Sequence, residues 1–127
     1  MKKLAAALSL AALMSAALMP AMAFAKDGDV EKSGNCSGNS TWKLKLSEED
    51  GKIETEFEVD QNVVGDKWRV VLKRDGKRYF KGVRKTKAPS GSFEVRRVIS
   101  DSPGADRVKA RAVNLQTDEV CTGKATF

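Results

Sequence analysis

In TWKLKL, residues 41–46, every second side chain is apolar, and this period of two recurs through most of the chain. Successive side chains of a strand point to opposite faces, so strict alternation describes a strand with one face buried and the other in water. Trp42, Leu44 and Leu46 form the inward set of the first such run, with Lys43 and Lys45 outward. In IETEFEV, residues 53–59, Ile53, Thr55, Phe57 and Val59 alternate with Glu54, Glu56 and Glu58. KWRVVLK sets Trp68, Val70 and Leu72 inward, DRVKARAVN sets Val108, Ala110 and Ala112 inward, and EVCTGKATF sets Cys121, Gly123, Ala125 and Phe127 on one side. No helical period follows residue 25.

Two further segments complete a count of seven strands. The pair Asp75-Gly76 tolerates positive φ at both positions and predicts a tight hairpin, so residues 78–86 return beside the third strand. Alternation there is poor, with Tyr79, Phe80 and Val83 split between faces, which suits an edge strand rich in lysine and arginine. SFEVRRVIS begins with Phe93 and Val95 inward, and strict alternation would then bury Arg97; a bulge at Arg96-Arg97 that turns Val98 inward is the expected remedy.

The first 25 residues stand apart from this pattern. Lys2 and Lys3, the apolar run from Leu4 to Leu18 and the small residues Ala23 and Ala25 follow the order of a secretory signal peptide. A membrane anchor needs about 20 apolar residues, whereas Pro20 interrupts this run and KDGDVEK follows it. The expected organisation is a signal peptide at 1–25, a polar lead at 26–39 and a β-sandwich domain at 40–127. The product is expected to be secreted, with no transmembrane anchor after signal removal. Without Lys2 and Lys3 the 23 basic residues become 21 against 17 acidic ones, a net charge of +4. Cys36 and Cys121 are the only cysteines, and in an oxidising compartment two cysteines read as a disulfide. Closing the 85-residue separation between them contributes on the order of 4 kcal/mol.

Seven strands joined by short turns, with an inward tryptophan on the third, resemble an immunoglobulin-like or fibronectin-III-like domain across residues 36–127. The chain is also similar to the small exported single-domain β-sandwich proteins of bacteria that have no assigned activity. The resemblance implies a seven-stranded antiparallel immunoglobulin-like sandwich. It further implies that the start of the chain runs beside the last strand, where a Cys36–Cys121 bridge would staple it.

The residue inventory argues against catalysis. Without histidine no Ser-His-Asp or Cys-His arrangement exists, and two sulfurs are too few for a zinc site. Glu48-Glu49-Asp50 lies in a turn, and Glu54, Glu56 and Glu58 are read onto a solvent face, while a catalytic acid needs partial burial. Asp27-Gly28-Asp29 lacks the spacing of a calcium loop. We therefore expect no enzyme, no cofactor and no metal.

Charge is distributed unevenly between the two expected sheets. In the implied topology Lys43 and Lys45 lie near the three glutamates, which stabilises that face. The other sheet presents Arg69 and Lys73 facing Arg107, Lys109 and Arg111, with Lys124 at the margin. Like charges on neighbouring strands cost stability. Either Asp66, Asp75, Asp106 and Glu119 at the strand ends offset this face and it serves solubility, or it binds an anionic envelope or extracellular polymer. Nucleic acid is poorly motivated, because no aromatic side chain interleaves the cations. A second reading is a protein-protein module, such as an extracellular inhibitor of another secreted protein, acting through its loops. Val63 and Val64 in QNVVGD are its candidate anchors, if they do not tuck under the sandwich edge.

Overall fold

The alternating segments pair into two four-stranded antiparallel sheets in a computed structural model that describes residues 28–127. The strands are β1 (Val30–Asn35), β2 (Thr41–Glu49), β3 (Lys52–Asp60), β4 (Lys67–Arg74), β5 (Lys77–Lys85), β6 (Ser92–Ser100), β7 (Arg107–Asn114) and β8 (Val120–Thr126). One sheet has the order β1-β2-β3-β6 and the other β5-β4-β7-β8. The expected signal peptide lies outside the described residues.

The count is eight strands rather than seven, because the expected polar lead contains β1. Its inward positions are Val30, Lys32 and Gly34, opposite Leu46, Leu44 and Trp42. One apolar residue among three gives no readable alternation; the strand forms because β2 offers it a free edge. Glu31 and Asp29 add ion pairs to Lys43 at 3.6 Å and Lys45 at 3.8 Å.

Inward residues of both sheets make one core, with Leu44, Leu46, Phe57, Trp68, Val70, Leu72, Ala110 and Ala112 fully buried. The Asp50-Gly51 and Asp75-Gly76 turns take positive φ at both residues, at 51° and 76° and at 49° and 83°. Such turns match the strand twist and close the β2–β3 and β4–β5 hairpins. Trp42, expected in the core, is only partly buried. Its ring closes the sandwich edge over two glycines, and an added Cβ would lie 2.9 Å from it at Gly34 and 2.6 Å at Gly123.

The expected bulge at Arg96-Arg97 is absent. Pairing of β3 with β6 runs without interruption from Lys52↔Ser100 to Asp60↔Ser92, and Val98 is 44% exposed. Arg97 keeps its inward register, and its guanidinium lies over the Phe80 ring, 4.7 Å from the centroid, with Arg84 at 5.1 Å. A long cationic side chain can cover an aromatic ring while its head stays wet, so no bulge is required. The register shift lies instead between β4 and β5, where Leu72 pairs with Phe80 but Lys73 pairs with Arg78. Tyr79 is the extra residue, so both it and Phe80 reach inward. Its hydroxyl meets Thr55 Oγ1 across the sheets at 2.9 Å.

A disulfide joins Cys36 to Cys121. Cys36 follows β1 rather than preceding the first strand, so the bridge ties the β1–β2 connection of one sheet to the edge strand β8 of the other. Around it Ser37 N–H donates to the Val120 carbonyl at 2.8 Å. The Glu119 carboxylate accepts from the Gly38 and Ser40 amides at 3.0 and 2.8 Å and from the Ser40 hydroxyl at 2.8 Å.

At the same end of the sandwich Trp68 Nε1 donates to Gln61 at 3.0 Å, and Gln61 and Asn114 donate to Asp66 at 2.7 and 3.0 Å. These two bonds hold the Asp66 carboxyl below its ordinary value. A depressed folded-state pKa contributes stability that is present above the unfolded value near 3.9 and is lost as pH falls through the folded one. The parent should therefore lose an increment of melting temperature on acidification below about pH 4 that Asp66→Asn lacks. Asp101 and Glu56, both shifted upward with desolvation as the first cause, act in the opposite sense, so thermal scans should compare parent and variant at each pH. Equal pH profiles would remove Asp66 from the account.

Candidate anion-binding face

The outer faces of the two sheets carry opposite solutions to the same charge problem. On the first, one row across the strands reads Glu31, Lys45, Glu56, Arg96, alternating in sign. Arg96 also pairs with Glu54, which is buried and not on a solvent face as the alternation suggested. Glu56 is pushed up by burial, then by the neighbouring Glu54 and Glu94 carboxylates. Opposite charges on adjacent strands each contribute about 0.2–1 kcal/mol.

On the second sheet the corresponding row reads Arg78, Lys73, Lys109, Lys124 across β5, β4, β7 and β8. All four are cations. Neighbouring strands lie about 4.8 Å apart, and residues two apart along a strand about 6.8 Å. Arg111 and Lys81 fall in the next row, with Val71 and Thr122, and Arg107 lies on the other side opposite Thr126. No outward strand position of this sheet is acidic. Among the described residues none of these cations forms an ion pair.

The expected patch is thus brought together in part. Lys73 and Lys109 face each other directly at the centre of the row, and Lys124 ends it on the edge strand β8. Arg69 is set apart: its cross-strand partners are Val83 and Val113, and it lies two rows from Lys73. Arg78 and Lys81 were not among the expected residues. The bulge at Tyr79 determines which way Arg78 points, and a bulge leaves no sign in the β5 sequence beyond its broken alternation.

The acids expected to offset the face are mostly engaged elsewhere. Asp106 is fully buried, with Arg74 at 3.5 Å and the Ser102 hydroxyl on its Oδ1. Asp66 is held by Gln61 and Asn114, and Glu119 by the β1–β2 connection. Asp75 alone remains beside the cations, accepting the Arg107 amide at 3.1 Å.

A groove of about 620 Å³ runs from this row round the free edge of β8. Lys73, Arg107, Lys109 and Lys124 line it from the second sheet and Lys32 from the first, with Asp75 the one acid among the described residues that line it. At the other end of the sandwich Val63 and Val64 are 49% and 55% exposed and do not tuck under the edge. A second groove there, about 450 Å³, has Val63 and Gln61 on one wall and the 37–40 and 117–119 segments on the others. Among the described residues no group of three or more acidic or cysteine side chains is placed to hold a metal ion. The chain matches no family model, no curated protein and no solved structure.

Proposed function

We propose that this chain is a secreted, non-catalytic binding module that holds an anionic envelope or extracellular polymer on the outer face of the β5-β4-β7-β8 sheet. The observation that carries the reading is the unpaired row Arg78, Lys73, Lys109, Lys124, set against the alternating row on the opposite sheet. Sheet formation alone favours alternation, and of the acids that would have made this face self-sufficient only Asp75 lies beside it. A polyanion laid across the row replaces the missing counter-charges. The signal-like leader and the disulfide support an extracellular site of action. Setting β1 aside, β2-β3-β6 against β5-β4-β7-β8 is compatible with an immunoglobulin-like sandwich, and we read the scaffold as such.

Retention of the protein on immobilised polygalacturonate and polyglutamate, followed as salt is raised, tests the reading. Charge attraction of this kind has a range of about 8 Å at physiological ionic strength and weakens as salt increases. Lys73→Gln, Lys109→Gln and Lys124→Gln together should reduce affinity by about tenfold or more and flatten the salt dependence. Lys43→Gln with Lys45→Gln should spare binding. A triple variant that binds as the parent does would falsify the proposal.

The exposure of Val63 and Val64 favours a second reading, a protein-protein module working through the loop end. That complex would tolerate salt and depend on the two valines.

A further inference from the structure

Lys32 and Asp75 make the groove at the β8 edge more selective than a cationic row. We infer that its occupant is a carboxylated polysaccharide, with Lys32 and Asp75 determining the preference; this rests on the binding proposed above. A volume of about 620 Å³ falls within the range of sites for multi-atom ligands, roughly 300–1,000 Å³, and exceeds what a lone carboxylate fills. Its surface is of three kinds. Lys73, Lys109 and Lys124 supply ammonium groups on the sheet face, while the half-buried Val30 and the aliphatic stems of the lysines add apolar atoms. Asp75 supplies an acceptor: the Arg107 amide occupies Oδ1, and among the described residues no donor bonds the other oxygen.

Linear polyphosphate brings only negative charge into the groove and is repelled by Asp75. A polysaccharide with one carboxylate per sugar uses every part of it. Its carboxylates meet the lysines, its hydroxyls donate to Asp75, and its C–H faces lie on the apolar atoms. Among the described residues that line the groove none is aromatic, so a base has nothing to stack on. Lys32 reaches the groove from the other sheet, because β1 runs in register with β2 at Lys32↔Leu44. The Cys36–Cys121 bridge anchors the end of that strand at β8. The polymer therefore crosses the strands and passes round the β8 edge instead of running along one strand.

Affinities for oligogalacturonate, linear polyphosphate and polyglutamate, compared at equal charge concentration for the parent, Lys32→Gln and Asp75→Asn, test this. Asparagine tolerates the positive φ at position 75 and keeps the oxygen that accepts the Arg107 amide, so thermal melts should remain close to the parent's. Lys32→Gln should weaken oligogalacturonate binding about threefold to fivefold and lower the salt slope by about one. Asp75→Asn should weaken oligogalacturonate about tenfold and strengthen polyphosphate. A parent that prefers polyphosphate or polyglutamate, an unaffected Lys32→Gln, or an Asp75→Asn that tightens both ligands overturns the inference while leaving the binding face intact. A parent that binds none of the three polymers sinks the binding proposal itself.

Discussion

Replacing Cys36 and Cys121 together with alanine should lower the melting temperature by roughly 18–36 °C while leaving the far-ultraviolet circular dichroism of the folded protein unchanged. The bridge closes a separation of 85 residues, and chain-entropy arguments assign such a loop about 4.5 kcal/mol. A domain of about a hundred residues loses roughly 4–8 °C per kcal/mol. Alanine is the correct replacement because Cys121 is fully buried, and a serine hydroxyl there would add an unsatisfied polar group. The fold should persist because the bridge is not the sole tie at this corner. Ser37 still bonds Val120, and Glu119 still gathers Gly38 and Ser40. Thermal scans of parent, double variant and reduced parent measure the effect. A double variant within about 2 °C of the parent would mean that the hydrogen bonds alone hold β1 and β8 together.

The sequence made legible whatever depends on period two within one strand. The inward faces of β2, β3, β4, β7 and β8 follow directly from alternation, because a shift of one residue would expose the apolar side chains that now face the core. Features that depend on a neighbour were not legible. β1 has inward residues Val30, Lys32 and Gly34, whose suitability becomes visible only with Trp42 lying over Gly34. Arg97 looks misplaced until Phe80 is brought to it from the other sheet. The same limit applies to the candidate site. Outward cations could be identified one strand at a time, but register decides which of them meet, separating Arg69 and drawing in Arg78. Lys32 reaches the groove only because an unrecognised strand carries it there. Asp106 and Glu119 read as surface acids because burial and loop contacts across 79–81 residues leave no local trace.

Trp68→Ala should be the most damaging single substitution in the core, costing about 3–5 kcal/mol of the roughly 5–15 kcal/mol a domain of this kind possesses. Its side chain is fully buried in β4, and its ring lies 6.0 Å from that of Phe93 in β6, so it is packed between the sheets. Removing it leaves a cavity between layers that rigid strand pairing cannot collapse. It also removes the indole N–H from Gln61, whose amide otherwise holds Asp66 and, through it, the start of β4. Trp68→Phe separates the two effects: it restores most of the ring volume but not the donor, so it should recover more than half of the loss. Trp42→Ala should cost less than Trp68→Ala, because Trp42 is partly exposed at the edge and its removal opens toward solvent. Urea denaturation of the three variants measures these differences. If Trp42→Ala proved the costlier change, the weight of the core would lie at the β1–β8 edge, and the bridge and Trp42 together would be holding the two sheets closed.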